Sequence, residues 1–199
     1  MKNYCMMLAF ACIFSLNVMA QKIVPDSVKL YPENQTGCVS FVFQSTNIPD
    51  IAFNNTKKWI AKNFSEYNDV VKMEDSTTHT IVFKGLQPIA RYEDVTKNGF
   101  PIVYRLSLNY TATIECKEGR FRIKMEDLKP QGIYNFSGGK DTQMFLHFSD
   151  VDNLEQIRNN PKNTKGYIAL HENMIPASKA TIATIVNSLE ESINFKDDF

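Results

Sequence analysis

Residues 104–124 read YRLSLNYTATIECKEGRFRIK, and this run decides the fold. Tyr104, Leu106, Leu108, Tyr110, Ala112, Ile114 and Cys116 alternate with Arg105, Ser107, Asn109, Thr111, Thr113 and Glu115. Successive side chains of an extended strand point to opposite sides, so the alternation predicts one long strand with a buried and a polar face. Glu118-Gly119 then offers a two-residue turn, because glycine accepts the positive φ that such turns need. With that turn in use, Lys117 faces Arg120 and the register follows: Cys116 against Phe121, Glu115 against Arg122, Ile114 against Ile123, Thr113 against Lys124. Apolar residues meet apolar ones throughout. Glu115 and Arg122 become a cross-strand ion pair, contributing roughly a few tenths of a kcal/mol.

Upstream, Val39, Phe41 and Phe43 alternate with Ser40 and Gln44, which predicts a strand over 38–45. The period then changes. From Asp50, Phe53, Ile60 and Phe64 recur at three- and four-residue spacing, with Trp59 and Tyr67 beside them and Lys57, Lys58 and Lys62 opposite. This is an amphipathic helix ending near Tyr67, with Trp59 as a core anchor. Val70, Val71 and Met73 form a short strand, and residues 78–84 a second one with Ile81 and Phe83 on one face, ended by Gly85. Pro88, Asn98-Gly99 and Pro101 predict a mobile excursion over 86–101 that turns at Asn98-Gly99. After Pro130 periodicity fades among Gly132, Ser137-Gly138-Gly139 and Asn159-Asn160-Pro161, leaving Met144–Phe148 as an edge strand in a loop-rich segment. Ile182, Ile185, Val186, Leu189 and Ile193 then mark a C-terminal helix with Pro176 in its first turn. The order β-α-β-β-β-β-α implies an α+β fold: a curved, mostly antiparallel sheet of about five strands, with an N-terminal and a C-terminal helix packed on one face.

The chain has 199 residues, 43% of them hydrophobic, with 22 basic and 22 acidic groups, which suits one main domain. Zero net charge gives no field to steer a polyanion, so a nucleic-acid partner is not expected. Lys2, the apolar run Met6–Leu16 and the small-residue exit Val18-Met19-Ala20 have the three regions of a signal peptide, with cleavage expected after Ala20. The run is too short for a membrane anchor, no later segment is apolar enough to span a bilayer, and Cys12 is a poor lipidation site. The expected product is exported to the periplasm or cell surface. The expected division is therefore 1–20 signal peptide, 21–37 irregular lead-in, 38–128 α+β domain, 129–173 loop-rich segment and 174–199 C-terminal helix. Cys38 and Cys116 remain after cleavage, either as one disulfide or as two buried thiols.

The run Thr56-Lys57-Lys58-Trp59-Ile60, the strands around Met73 and Phe83, and the turn Glu118-Gly119-Arg120-Phe121-Arg122 resemble a family of exported Bacteroidetes proteins. That family is a domain of unknown function with a TATA-binding-protein-like (TBP-like) fold. The resemblance spans roughly residues 38–128. It implies the fold and no activity, and the fold's name does not imply DNA binding.

The search for chemistry yields little. His79, His147 and His171 lack metal-ligand spacing. Gly138-Gly139-Lys140-Asp141-Thr142 fails as a phosphate loop, since Tyr134 holds the first glycine position and Asp141 the hydroxyl position. Asp150-Val151-Asp152-Asn153 is followed by Leu154 and Glu155 where a calcium loop needs a ligand and a glycine. No catalytic residue, metal or cofactor is expected. Arg105, Arg120, Arg122 and Lys124 project from the polar face of the hairpin and suit an anionic sugar or a carboxylate. Against that, Glu115 and Glu126 sit among them and suit a solvated, neutralised face. The leading expectation is a non-enzymatic module that binds a ligand or an envelope protein. The alternatives are a structural subunit of an envelope assembly, joined through the Met144–Phe148 edge, and a hydrolase with a site assembled in space.

Overall fold

A computed structural model describes residues 22–34, 36–96, 98–136 and 139–196. The expected signal peptide lies outside the described residues. Strand β1 (Val39–Gln44) leads to helix α1 (Pro49–Asn63), a short helix α2 (Tyr67–Val70) and strand β2 (Val71–Asp75). Three long strands follow, β3 (Thr80–Val95), β4 (Pro101–Lys117) and β5 (Arg120–Phe136). Strand β6 (Thr142–Phe145), a short helix α3 (Leu154–Asn159) and the long helix α4 (Lys165–Ile193) complete the order. The strands form one open six-stranded sheet in the order β1-β5-β4-β3-β2, with β6 also paired to β5, and every pairing is antiparallel.

The β4–β5 hairpin has the register that the Glu118-Gly119 turn dictates, with Cys116 opposite Phe121 and Glu115 opposite Arg122. Gly119 takes φ +69, the left-handed conformation that favours glycine. Along β4 every even residue from Ile102 to Cys116 is buried and the odd ones are half-buried. Helices α1 and α4 lie on the even side, against β3, β4 and each other, and leave the odd side without a helical cover.

Several elements run further than the sequence suggests. Gly85 does not end β3, because the Tyr110 ring packs across it: an added Cβ would sit 2.2 Å from Tyr110 Cζ. The residues expected as a mobile excursion over 86–101 continue the strand to Val95, with a bulge between Pro88 and Ala90 and a turn at Asn98-Gly99. Beyond Phe83, the outer edge of β3 has no strand partner among the described residues. Strand β5 likewise crosses the expected boundary at 128 and passes Pro130. Asp127, at φ +53, puts a bulge there, so that Asn109 to Thr111 on β4 face Lys129 to Glu126 on β5. The extra residue moves the buried positions from Phe121, Ile123 and Met125 to Leu128, Pro130 and Gly132. Helix α4 begins at Lys165 and holds Pro176 in its interior, not in its first turn.

Two apolar clusters lie between sheet and helices. The larger joins Phe43, Trp59, Ile60, Phe83, Ile114 and Phe121 to Ile182, Val186 and Leu189 of α4. The smaller joins Ile102, Tyr104, Leu106 and Leu146 to Leu170 and Met174 of the same helix. The lead-in contributes Val28 and Leu30, both fully buried in the larger cluster, and its Ile23 backbone exchanges two hydrogen bonds with the Asn187 side chain. At the other end, Asn47 and Asn55 donate to the Phe195 carbonyl, each at 2.9 Å, and Asn47 also to Ile193 O at 2.8 Å. Helix-terminal carbonyls lack intrahelical donors, and these buried amides supply them. No helix among the described residues is long and apolar enough to cross a membrane.

Candidate ligand-binding site

Arg105, Arg120, Arg122 and Lys124 all project from the helix-free face, but at different ends of it. Arg120, Arg122 and Lys124 sit opposite Gln44, Val42 and Ser40 of β1. Arg105 pairs with Ile133, ten residues along β4 from the level of Arg122 and about 33 Å away at the usual strand rise. Three of the four carry a carboxylate partner: Arg122 donates to Glu115 at 2.6 Å, Arg105 to Asp141 at 2.6 Å, and Lys124 lies 2.7 Å from Glu126. Arg120 has no ion-pair partner among the described residues, and with Lys117 and Arg122 it rims a shallow hollow of about 230 Å³.

Cys38 and Cys116 are free thiols. They lie on opposite sides of β5, since β1 and β4 flank that strand, and Val39 is level with Met125 whereas Cys116 is level with Phe121. Four residues of strand, about 13 Å, separate those levels, too far for a disulfide. Burial pushes the Cys116 thiol up to about 11, partly offset by a hydrogen bond with the Thr56 side chain. The three histidines also stay apart. His79 pairs with Asp50 at 2.7 Å, His171 is buried with Nδ1 on the Tyr167 carbonyl at 2.9 Å, and His147 lies before a 3₁₀ turn. Among the described residues no three His, Cys, Asp or Glu side chains gather as metal ligands.

The concave feature richest in aromatic rings lies at the far end of the sheet. Strand pairing sets Tyr104 against Tyr134 and Ile102 against Phe136, and the N-terminal turn of α4 brings Tyr167 over them. Ring centroids are 6.3 Å apart for Tyr104 and Tyr134, 6.1 Å for Tyr104 and Tyr167, and 5.8 Å for the perpendicular pair Tyr134 and Phe136. The cleft between them measures about 660 Å³, with Asn98, Lys162 and Asn163 at its rim. Helix α4 is fixed here by its start: Thr164 Oγ1 accepts from Tyr167 N at 3.3 Å and donates to the Tyr104 hydroxyl at 3.0 Å, while Gly166 N donates to Asp94 Oδ2 at 2.6 Å. Gly166 is required, because a Cβ would meet the Tyr104 ring at 2.9 Å. Burial raises the Tyr104 and Tyr167 hydroxyls above the ordinary phenol range, so both remain neutral. Rings on crossed elements with amides and one ammonium around them can stack on a flat ligand and hydrogen-bond its edge.

Local sequence pattern alone does not reveal this cleft. Tyr104 read as core, while Tyr134 and Phe136 lay beyond Pro130 in expected loop. The signal was present: Leu128, Pro130, Gly132, Tyr134 and Phe136 keep a period of two once the bulge at Asp127 is allowed for. A larger concavity, about 760 Å³, follows β5 between the segment that precedes β1 and the end of β6 with the residues after it. Two of its polar side chains are engaged, Asn109 with Gln131 at 2.9 Å and Tyr31 with Asp152 beyond its lining.

An open antiparallel sheet with two long helices on one face defines an α+β protein of the TBP-like class. Residues 43–131 match the family model described as a domain of unknown function (DUF4468) with TBP-like fold. Among solved structures, a DUF4468 family protein from Bacteroides ovatus aligns at 14% identity and TM-score 0.48, covering 84% of this chain and 92% of its own. A TBP-like protein from Parabacteroides distasonis aligns at 16% identity and TM-score 0.47, covering 80% of this chain and 94% of its own. No curated protein matches the chain.

Proposed function

We propose that this protein is an exported, non-enzymatic module of the cell envelope that captures an acidic oligosaccharide in the aromatic cleft. The observation that carries the reading is the convergence of Tyr104, Tyr134, Phe136 and Tyr167 from two strands and a helix onto one cleft of about 660 Å³. Sugar rings have apolar faces and hydroxyl edges, so they stack on aromatic rings and exchange hydrogen bonds with amides. Asn98 provides an amide, Asn163, whose Nδ2 donates to the Ile157 carbonyl at 2.9 Å, provides its side-chain oxygen, and Lys162 provides a cation for a carboxylate or sulfate. Export is supported by the signal-peptide pattern of residues 1–20. A thermal-shift and calorimetric screen of uronic-acid and sulfated oligosaccharides tests the reading, because a ligand bound only by the folded state raises Tm with concentration. A saturable rise is expected, lost in Tyr134→Ala and Phe136→Ala and weakened in Lys162→Ala. No shift across the panel, or a shift indifferent to Tyr134→Ala, overturns it.

A further inference from the structure

A second, separate concavity lies over the larger apolar cluster, between α1, α4 and the bulge of β3, and measures about 400 Å³. Trp59 and Phe64 form one wall, Ala177, Ala180 and Ile185 of α4 another, and Pro88 and Ile89 the lip. Tyr110 of β4 lines it from the sheet. Tyr110 is 2% exposed and its ring is held by Phe83, at 6.2 Å between centroids, and by the bare backbone of Gly85. Its hydroxyl is buried and has no hydrogen-bond partner among the described residues. Leaving a buried O–H unpaired is unfavourable, so orphaned groups in native proteins signal something that pairs with them. Several neighbouring polar groups are already engaged: Trp59 Nε1 donates to Ser188 Oγ at 2.9 Å, Asn63 to the Trp59 carbonyl at 2.9 Å, and Thr184 to the Ala180 carbonyl at 2.9 Å.

We infer that this concavity is a binding site for a small, neutral, mostly apolar molecule carrying one carbonyl or ether oxygen, which accepts a hydrogen bond from the Tyr110 hydroxyl. Three features select that chemistry. None of the lining residues is charged, so an ionic group would be desolvated without a counter-charge. Burial raises the Tyr110 phenol far above its ordinary value, so it stays protonated and acts as a donor to an acceptor on the ligand. The volume falls within the usual range for small-molecule sites, and the aromatic and aliphatic walls are interrupted only by uncharged polar side chains.

Trp59 is the sole tryptophan of the chain, so its emission reports occupancy directly. The test titrates the full chain with methyl cyclohexanecarboxylate, an ester of the stated class, and with cyclohexanecarboxylate at pH 8 as the charged counterpart. A saturable change in Trp59 emission with a rise in Tm is expected for the ester alone. Tyr110→Phe keeps the ring and removes the donor; it is expected to weaken ester binding about five- to tenfold, the effect of one neutral hydrogen bond, without lowering the Tm of the free protein. Ala177→Phe fills the concavity from a half-buried helical position and is expected to abolish binding. The inference is overturned if the ester gives no saturable signal, if Tyr110→Phe binds as tightly as wild type, or if the carboxylate binds as well as the ester. It is also overturned if Tyr110→Phe lowers the Tm of the free protein, since the hydroxyl would then already have a partner.

Discussion

At the scale of single residues, the start of α4 shows how one carboxylate holds two elements together. Asp94, near the end of β3, accepts the Gly166 amide at 2.6 Å, and that hydrogen bond, with a smaller one from the Val95 amide, holds its carboxyl below the usual carboxylate range. Because the folded value is depressed, the stabilisation is present above the unfolded value and is lost as pH falls through the folded one. Asp94→Ala is therefore expected to lower stability near neutral pH by about 1 kcal/mol, the usual effect of a helix-start acceptor. It is also expected to flatten the acid side of the stability profile. Denaturant unfolding of both proteins at pH 7 and pH 3 checks this: the gap between them should shrink at the lower pH. None of this was legible beforehand, since Asp94 and Gly166 are 72 residues apart and no local pattern links them.

At the scale of elements, the sequence spoke clearly wherever the period of two ran unbroken. The β4–β5 register was readable down to the Glu115–Arg122 pair because turn chemistry and face alternation agree at every position. Reading failed at the two bulges. On β3 and β5 an extra residue shifts the buried positions by one, and a period that shifts midway looks like a period that has ended. Proline compounds this: Pro88, Pro130 and Pro176 suggest breaks or starts, yet each lies inside an element whose neighbours keep it in place. The polar Arg face is legible from strand alternation, whereas the rings of the cleft assemble only when β4, β5 and α4 meet. Gly85 is the sharpest test of this level. With 2.2 Å between an added Cβ and Tyr110 Cζ, Gly85→Ala must displace the ring or the strand, and a loss of about 1 to 3 kcal/mol is expected in thermal or urea unfolding. A change within 0.5 kcal/mol would show that the ring moves aside freely.

At the scale of the whole molecule, the sheet has a long unpaired margin. Strand β2 covers β3 only as far as Phe83, so residues 84–95 present an edge to which another chain can add a strand. Pro88 has no N–H to offer, the bulge beside it bends the edge, and Arg91 and Glu93 put charge along it. Pro88→Val restores an amide to that margin, and it is expected to increase self-association, seen as concentration-dependent light scattering with an unchanged far-UV spectrum. Scattering equal to wild type would mean that the bulge alone blocks pairing. Helix α4 has a different role at this scale. Among the α-helices it alone supplies buried residues to both apolar clusters, through Leu170 and Met174 in one and Ile182, Val186 and Leu189 in the other. It is also the last of these elements to leave the ribosome. A nascent chain that has already extruded every strand still exposes the apolar side of its sheet along the line that α4 will cover. Neither cluster closes before α4 emerges, so completion of the core waits for a helix that follows every strand along the chain.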